Sequence, residues 1–461
     1  MPRQVHRPPA TNMYSPTLPS AVDLCVSNHS SQICVALLTT MSAPAEVAHP
    51  RLILRGGNLA DGSRCDIAIE QDTGLIVEVG GLTINVNDTV ESCEGMMILP
   101  APVEPHAHLD KALLANRSDV PINQSGDLIS AISITNSVTF DPLDTNNRAR
   151  AALLTLVRNG ATTVRTHVDV REPIGIRSLE VLLSLANEFR SSGLADIQIT
   201  CLLGSQVTGS LGHANRRLLE SALAAGANVV GGCPYLDSNP YAATELLLRA
   251  AQEAGIPCDF HTDETLDPSV LTVIDLIKAV ERLHFDQGVS ASHCVSLGVQ
   301  SEQVQRSVAD RLAELKISVI TLPQTNLSLQ SRRIASAPPR AMAPTAHLAS
   351  VGVNVAAGAD NVRDPFCPIG RLDPVETASL MVLAAHRDPQ QAWEHCSTNA
   401  RIAIGAPEIR IQPGYPAELV AIKGTSLTDV IASGSQERIV IHNGHVISRT
   451  RVVSEISYPK P

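Results

Sequence analysis

Pro257-Cys258-Asp259-Phe260-His261-Thr262-Asp263-Glu264 carries a short β-prone run straight into a cluster of polar side chains. Its flanks, 241–254 and 269–284, read as helices, with apolar residues returning every three to four positions. A strand between helices of this length is one unit of a parallel sheet. The same unit recurs along the chain. The eight strand candidates are Met97-Ile98-Leu99 with the residues that follow, then 162–166, 197–202, 228–230, 257–260, 289–292, 317–321 and 353–357. Helical stretches accompany them at 147–158, 177–190, 215–225, 241–254, 269–284, 301–315 and 372–387. Eight such repeats predict an α/β fold, a (β/α)8 TIM-type barrel over residues 100–405. An open doubly wound sheet is the competing arrangement, but no Gly-x-Gly-x-x-Gly follows any strand, so its usual phosphate site is missing.

The two ends of the chain differ from this middle. Residues 49–99 hold short β patterns at Leu52-Ile53-Leu54, Ile67-Ala68-Ile69 and Ile76-Val77-Glu78-Val79. Residues 406–455 hold more, at Leu419-Val420-Ala421-Ile422, Arg438-Ile439-Val440-Ile441 and His445-Val446-Ile447. Open strand edges give each end a reason to pair with the other, which predicts one small β-sandwich domain built from both. Residues 1–48 are dominated by Pro, Ser, Thr and Asn without periodicity. They are expected to be a disordered or weakly docked extension, with Met41 as an alternative start.

Composition bounds the function. A hydrophobic content of 44% over 461 residues supplies a large core, and with 2% aromatics that core must be built from Ala, Val, Ile and Leu. The formal net charge of −11 and the lack of any Lys/Arg cluster argue against nucleic acid or an anionic membrane as partner. No run of ~18 apolar residues offers a membrane span. The 10 cysteines stand singly with no Cys-x-x-Cys, the usage of a reduced, cytoplasmic protein.

Polar residues then fall in a pattern. His106 and His108 follow the first strand, His167 the second, His261 and Glu264 the fifth, His293 the sixth and Asp360 the eighth. In a barrel all of these converge on the carboxyl-terminal face, where such folds display reactive groups. A chain with 15 His yields one His-x-His by chance about as often as not; the shared face is what gives the set weight. His106, His108, His261 and Asp360 make a donor set for one divalent metal ion, with Glu264 and His293 beside it to handle protons.

The chain resembles the amidohydrolase superfamily and, within it, the cytosine deaminase group. The resemblance rests on Pro105-His106-Ala107-His108-Leu109-Asp110, Val164-Arg165-Thr166-His167-Val168-Asp169, His261-Thr262-Asp263-Glu264 and Ser292-His293. It continues through Asn326-Leu327-Ser328-Leu329-Gln330, Gly358-Ala359-Asp360-Asn361 with Asp364-Pro365-Phe366-Cys367-Pro368, and the turn at 413–420. It implies one zinc or iron ion per chain on His106, His108, His261 and Asp360. It implies Glu264 as proton shuttle to a ring nitrogen, His293 beside the water or the leaving group, and Asp360 as the base that activates water. The implied reaction is hydrolytic deamination of a cytosine-like or related amino-substituted nitrogen heterocycle, releasing ammonia. The alternative is the same hydrolysis on a cyclic amide or an N-alkylamino-triazine. A homo-oligomer also fits the resemblance.

Two departures bear on substrate and metal. Asn361 stands where the group carries a second aspartate, and an amide donates as well as accepts. Gly231-Gly232-Cys233-Pro234, after the fourth strand, lacks the lysine that bridges two metals in related enzymes, so one ion is expected. Gln206 is the candidate for the substrate-reading glutamine after the third strand, and Asn326, Gln330 and Asn361 are candidate pocket residues. His167 is expected to hydrogen-bond beside the ligands. Asp110 and Lys111 either orient the first histidines or open a helical turn, and the 115–142 insert is a lid, a pocket wall or a surface loop.

Overall fold

The computed structural model describes residues 49–457. Its strands fall into two sheets. Eight strands run parallel in unbroken sequence order: β6 (Val103–Ala107), β7 (Thr163–Val170), β8 (Asp196–Leu203), β9 (Val229–Gly232), β10 (Cys258–Thr262), β11 (Val289–His293), β12 (Ser318–Thr321) and β13 (Val355–Ala357). The circle closes at a parallel bridge between Ala107 and Asp360. There the Asp360 N–H donates to His106 O at 2.9 Å and the His108 N–H to Asp360 O at 3.3 Å. The barrel seam therefore runs between two stretches predicted to bear ligands.

The helices stand close to their expected ranges, at Pro142–Arg158, Arg177–Ser191, His213–Ala225, Pro240–Ala254, Val273–Leu283, Glu302–Glu314 and Pro374–Ala385. Local chemistry sets several ends. Asn239 accepts from the Ala242 N–H and a left-handed Gly255 stops the same helix at its far end. Apolar faces of Leu, Val and Ala pack on the sheet, as in Leu179, Leu182, Leu185 and Phe189, all buried. Helices Pro389–Cys396 and Thr398–Ala403 lead to a plug under the strands: Ile404 O accepts from Arg165 Nη2 (3.1 Å) and Gln198 Nε2 (3.0 Å).

The chain ends build the second sheet, from β1 (Arg51–Asn58), β2 (Arg64–Glu70), β3 (Leu75–Gly80), β4 (Thr89–Ser92), β5 (Met96–Pro100), β14 (Leu419–Lys423), β15 (Arg438–His442) and β16 (His445–Thr450). Their order is β16-β15-β14-β5-β1-β2-β3, with β4 on β1. The two ends of the chain meet at the antiparallel β5–β14 pair, Met97 opposite Ile422 and Leu99 opposite Val420.

Two expectations need correction. Met97-Ile98-Leu99 is not the first barrel strand; it lies in the chain-end sheet, and Val103–Ala107 takes its place. Prolines 100 and 102 bring no N–H to a ladder, so the first pairing stops there and the chain passes to the barrel. Second, His167, His261 and His293 lie within their strands, since β7, β10 and β11 run on to Val170, Thr262 and His293. Alternation through Val168 and Val170 keeps β7 extended past the histidine. The 1–48 extension lies outside the described residues.

Candidate active site

The metal-ligating candidates meet at the seam, at the carboxyl ends of the strands. Asp360 Oδ1 lies 3.0 Å from His108 Nε2 and 3.6 Å from His106 Nε2. His108 Nε2 lies 3.2 Å from His261 Nε2. His106, His261, His293 and Asp360 each bring one ligand atom within 4.8 Å of the others. Two donors about 2.0–2.1 Å from a tetrahedral ion stand about 3.3 Å apart, so these separations fit one shared cation. Satisfaction of polar atoms says the same. His106 Nε2, His261 Nδ1, His293 Nε2 and both Asp360 oxygens are buried without a hydrogen-bond partner among the described residues. Burial pushes His106, His108 and His261 well below the usual imidazole range, which leaves neutral rings with lone pairs to offer.

The rings are held from behind. Ser292 Oγ donates to Asp259 Oδ1 at 2.7 Å and so accepts from His106 Nδ1 at 2.9 Å. That chain leaves His106 Nε2 unprotonated and facing the site. Asp259 is also ion-paired to Arg165 at 3.0 Å, and His167 lies 3.5 Å from it and stacks on His106 with ring centres 3.8 Å apart. His108 Nδ1 lies 3.2 Å from Lys111 Nζ, whose ammonium pairs with Asp169 at 2.8 Å.

Of the 261–264 run, His261 and Glu264 line the cavity, whereas Asp263 caps a helix: its carboxylate accepts from Thr272 N at 2.8 Å and Val273 N at 3.0 Å. Burial, with the charge of Asp360 added, pushes the Glu264 carboxyl well above its usual range. Tyr235 donates to Glu264 Oε2 at 3.4 Å, and His293 Nδ1 lies 3.7 Å from Glu264 Oε1. A carboxyl raised by burial in a cavity lined by buried imidazoles is a candidate for proton transfer. His293 and Asp360 both take left-handed backbone, φ 71° and 65°, a strained conformation for residues with side chains that is common where a site fixes its groups.

The cavity over these residues measures about 220 Å³. Asn361 lines it with its amide Nδ2 donating to Asp364 Oδ2 at 2.7 Å. Asn326 sits behind His293, its Oδ1 3.1 Å from Nδ1 of that ring. Gln330 donates to Glu264 O at 3.1 Å and faces an outer vestibule. Gln206 is not brought to the cavity: its amide donates to Leu236 O and accepts from the Ser238 N–H, and Ser205 lines the wall instead. From the 115–142 insert, the helix Leu128–Ser137 forms a wall through Leu128, Ile132 and Asn136. Tyr235, Ser292, Asp259 and Arg171 were not singled out from sequence as parts of a site. Tyr235 and Arg171 had a usable signal, since both lie just past a strand end.

A parallel barrel with a buried cluster of neutral imidazoles, two carboxyls and an adjoining cavity defines the class of metal-assisted hydrolases. The amidohydrolase family model matches residues 186–448, and the chain belongs to that family. It is 30% identical over 358 residues to the pterin deaminase of Rhizobium rhizogenes, covering 77% of this chain and 81% of the relative. Its fold is similar to 5-methylcytosine deaminase from Klebsiella pneumoniae liganded with 5-fluorocytosine, with a TM-score of 0.77 and 25% identity over 89% of this chain and 99% of the other. N-isopropylammelide isopropylaminohydrolase from Burkholderia multivorans gives a TM-score of 0.74 at 26% identity, over 87% and 98% of the two chains.

Proposed function

We propose that the chain hydrolytically deaminates an amino-substituted nitrogen heterocycle. The observation that carries this reading is geometric: the Glu264 carboxyl lines the same cavity as His108, His261 and Asp360, where His261 Nδ1 and both Asp360 oxygens are buried without a partner among the described residues. His106, His108, His261 and Asp360 hold one zinc or iron ion. When bound, that ion supplies an acidified water at neutral pH. Asp360 takes a proton as water adds to the ring carbon bearing the amine. Glu264 delivers a proton to the adjoining ring nitrogen. The carbon–nitrogen bond then breaks: the amine takes the proton held by Asp360 and leaves as ammonia, while the hydroxyl proton on the ring carbon passes to Glu264, which restores both carboxyls. His293 steadies the leaving side, held by Asn326, while Asn361 faces the substrate and Gln330 fixes the Glu264 backbone. A substrate contact from Gln206 requires that its bonds to the 236–238 turn be given up.

The single ion follows from Gly231–Cys233 standing where a bridging lysine would be needed. Residues 49–99 with 406–455 form the small β domain and 100–405 the barrel. One apolar cluster shared by Leu52, Leu54, Ile439 and Ile441 supports reading the chain-end sheet as a curled sandwich. Among the described residues no helix is long and apolar enough to cross a membrane. A cytoplasmic homo-oligomer that binds a small heterocycle and neither nucleic acid nor membrane completes the proposal.

The test is ammonia release by zinc- or iron-loaded protein across aminopyrimidines, aminotriazines and pterins. Ammonia from one member, lost in Glu264→Gln, supports the reading; silence with metal bound rejects it. The similarity to an isopropylaminohydrolase favours one second reading, in which an alkylamine leaves in place of ammonia. An N-alkylamino-triazine in the same panel separates the two.

A further inference from the structure

We infer that Arg171 is a specificity-determining residue and that the heterocycle taken by this cavity carries a carboxylate. The inference rests on the proposed hydrolase reading for where the ring lies, but not for its binding test. Arg171 follows β7, and its side chain lines the cavity on the wall made by the ends of β7 and β8. Glu264 and Asp360 reach the same cavity from the ends of β10 and β13. A ring presented to those two carboxyls therefore turns another edge to the guanidinium.

The structure makes room for this side chain. A Cβ at Gly204 would come within 2.9 Å of Arg171 Cβ, so a larger residue at the end of β8 would displace the arginine. Little holds the guanidinium in return. Nη1 donates to Glu172 O at 3.3 Å, and Nε stands 3.6 Å from Asp169 Oδ2. Nη2 has no partner among the described residues. Asp169 is shared, because its other oxygen takes the Lys111 ammonium at 2.8 Å. The Lys111 ammonium stands between Asp169 and Asp110, the latter at 3.6 Å, so the carboxylate nearest Arg171 is already engaged by a closer cation and leaves the guanidinium free to take a ligand.

Donor inventory narrows the ligand further. Guanidinium and ammonium groups only donate, so this edge matches a group that only accepts. On the neighbouring loop Gln206 spends its amide carbonyl on the Ser238 N–H, and the Ser205 hydroxyl, which lines the cavity, can turn its proton to the same accepting group. A planar guanidinium meets a carboxylate through two parallel hydrogen bonds, which an uncharged ring edge cannot match.

Calorimetric binding to the full-length metal-loaded protein tests this with amine-free ring pairs: uracil against orotate, and lumazine against lumazine-6-carboxylate. The carboxylate member of at least one pair is expected to bind about 10- to 100-fold tighter. Arg171→Leu should erase that preference while leaving the melting temperature and the uncharged member's affinity in place, and Arg171→Lys should keep part of it. Equal affinities within both pairs, or an undiminished preference in Arg171→Leu, overturns the inference. For a turned-over carboxylate substrate, Arg171→Leu should raise KM and leave kcat within a few-fold. A protein that prefers the carboxylates yet releases no amine from any substrate sinks the deaminase reading and leaves this one standing.

Discussion

His108 and His261 bring their Nε2 atoms to 3.2 Å of each other inside the barrel mouth, although 153 residues separate them in the chain. Two neutral imidazoles so placed, with Asp360 Oδ1 3.0 Å from the first, have the spacing that ligands of one common cation would have. Stripping the protein with a chelator is therefore expected to abolish turnover and to lower the melting temperature, since a ligand of the folded state alone stabilises it by mass action. Zinc or ferrous iron should restore both. Metal analysis alongside the assay is decisive: full turnover with far less than one equivalent bound would remove the ion from the mechanism. His261→Ala should bind the ion markedly more weakly.

Glu264→Gln would remove the proposed proton path and little else. Gln is nearly the same size, and the Tyr235 hydroxyl at 3.4 Å still finds a side-chain oxygen. The variant is expected to fold, to hold metal like the wild type, and to lose about 10²- to 10⁴-fold in kcat. A rate within a few-fold of wild type would show that another group moves the proton.

Much of the barrel was legible because its signals are local. Strand and helix periodicity depends on neighbours a few residues apart, so the helices appeared nearly at their final bounds. The error at Met97-Ile98-Leu99 has a physical source: the run is apolar and β-prone in either sheet, and only the partner strand, more than 300 residues later, distinguishes them. The ligand candidates were visible as polar residues at strand ends. Their supports were not. Ser292 and Asp259 read as ordinary strand residues, and their role depends on His106 lying 2.9 Å away across 186 residues of sequence. For Gln206 the sequence showed its place past a strand but not the 236–238 turn that engages its amide.

Ser292→Ala tests that hidden support. The hydroxyl passes a hydrogen bond from His106 Nδ1 to Asp259 Oδ1 and so fixes the tautomer that leaves Nε2 free. Its loss should weaken metal binding about 10- to 100-fold, measured by competition with a chelator of known affinity. The fold should survive, because Arg165 keeps its pair with Asp259 at 3.0 Å. Unchanged affinity would mean that packing alone orients the ring.

The chain-end sheet is joined to the N-terminus of the helix Pro374–Ala385 by a buried pair with both side chains 1% exposed: Arg438 Nη1 and Nη2 donate to Asp373 Oδ1 and Oδ2, each at 2.8 Å. Arg438→Met should cost about 3–5 kcal/mol in urea unfolding, because Asp373 is left charged and buried. Replacing both residues, Arg438→Met with Asp373→Leu, should recover much of that loss. A double variant as unstable as the sum of the single ones would mean that packing, not charge, sets the cost.

Glu418 makes the junction sensitive to acid. Burial alone would raise its carboxyl, but a hydrogen bond from His442 at 2.7 Å and the Asn443 N–H at 2.9 Å hold it below its usual range. A carboxyl lowered by folding contributes stability that is fully present above its unfolded value, about 4.3, and is lost as pH falls through the folded value. Thr162 Oγ1, directly before the second barrel strand, also donates to it at 3.0 Å, so the contribution ties the chain-end sheet to the barrel. Glu418→Gln is expected to destabilise by about 1–3 kcal/mol at pH 7. Measured by denaturant unfolding at several pH values, its deficit against the wild type should start to shrink below about pH 4.3, where the unfolded carboxyl takes up a proton, and go on shrinking as the pH falls through the folded value. A deficit that stays constant down to pH 3 would assign the loss to hydrogen-bond geometry and leave the charge without a role.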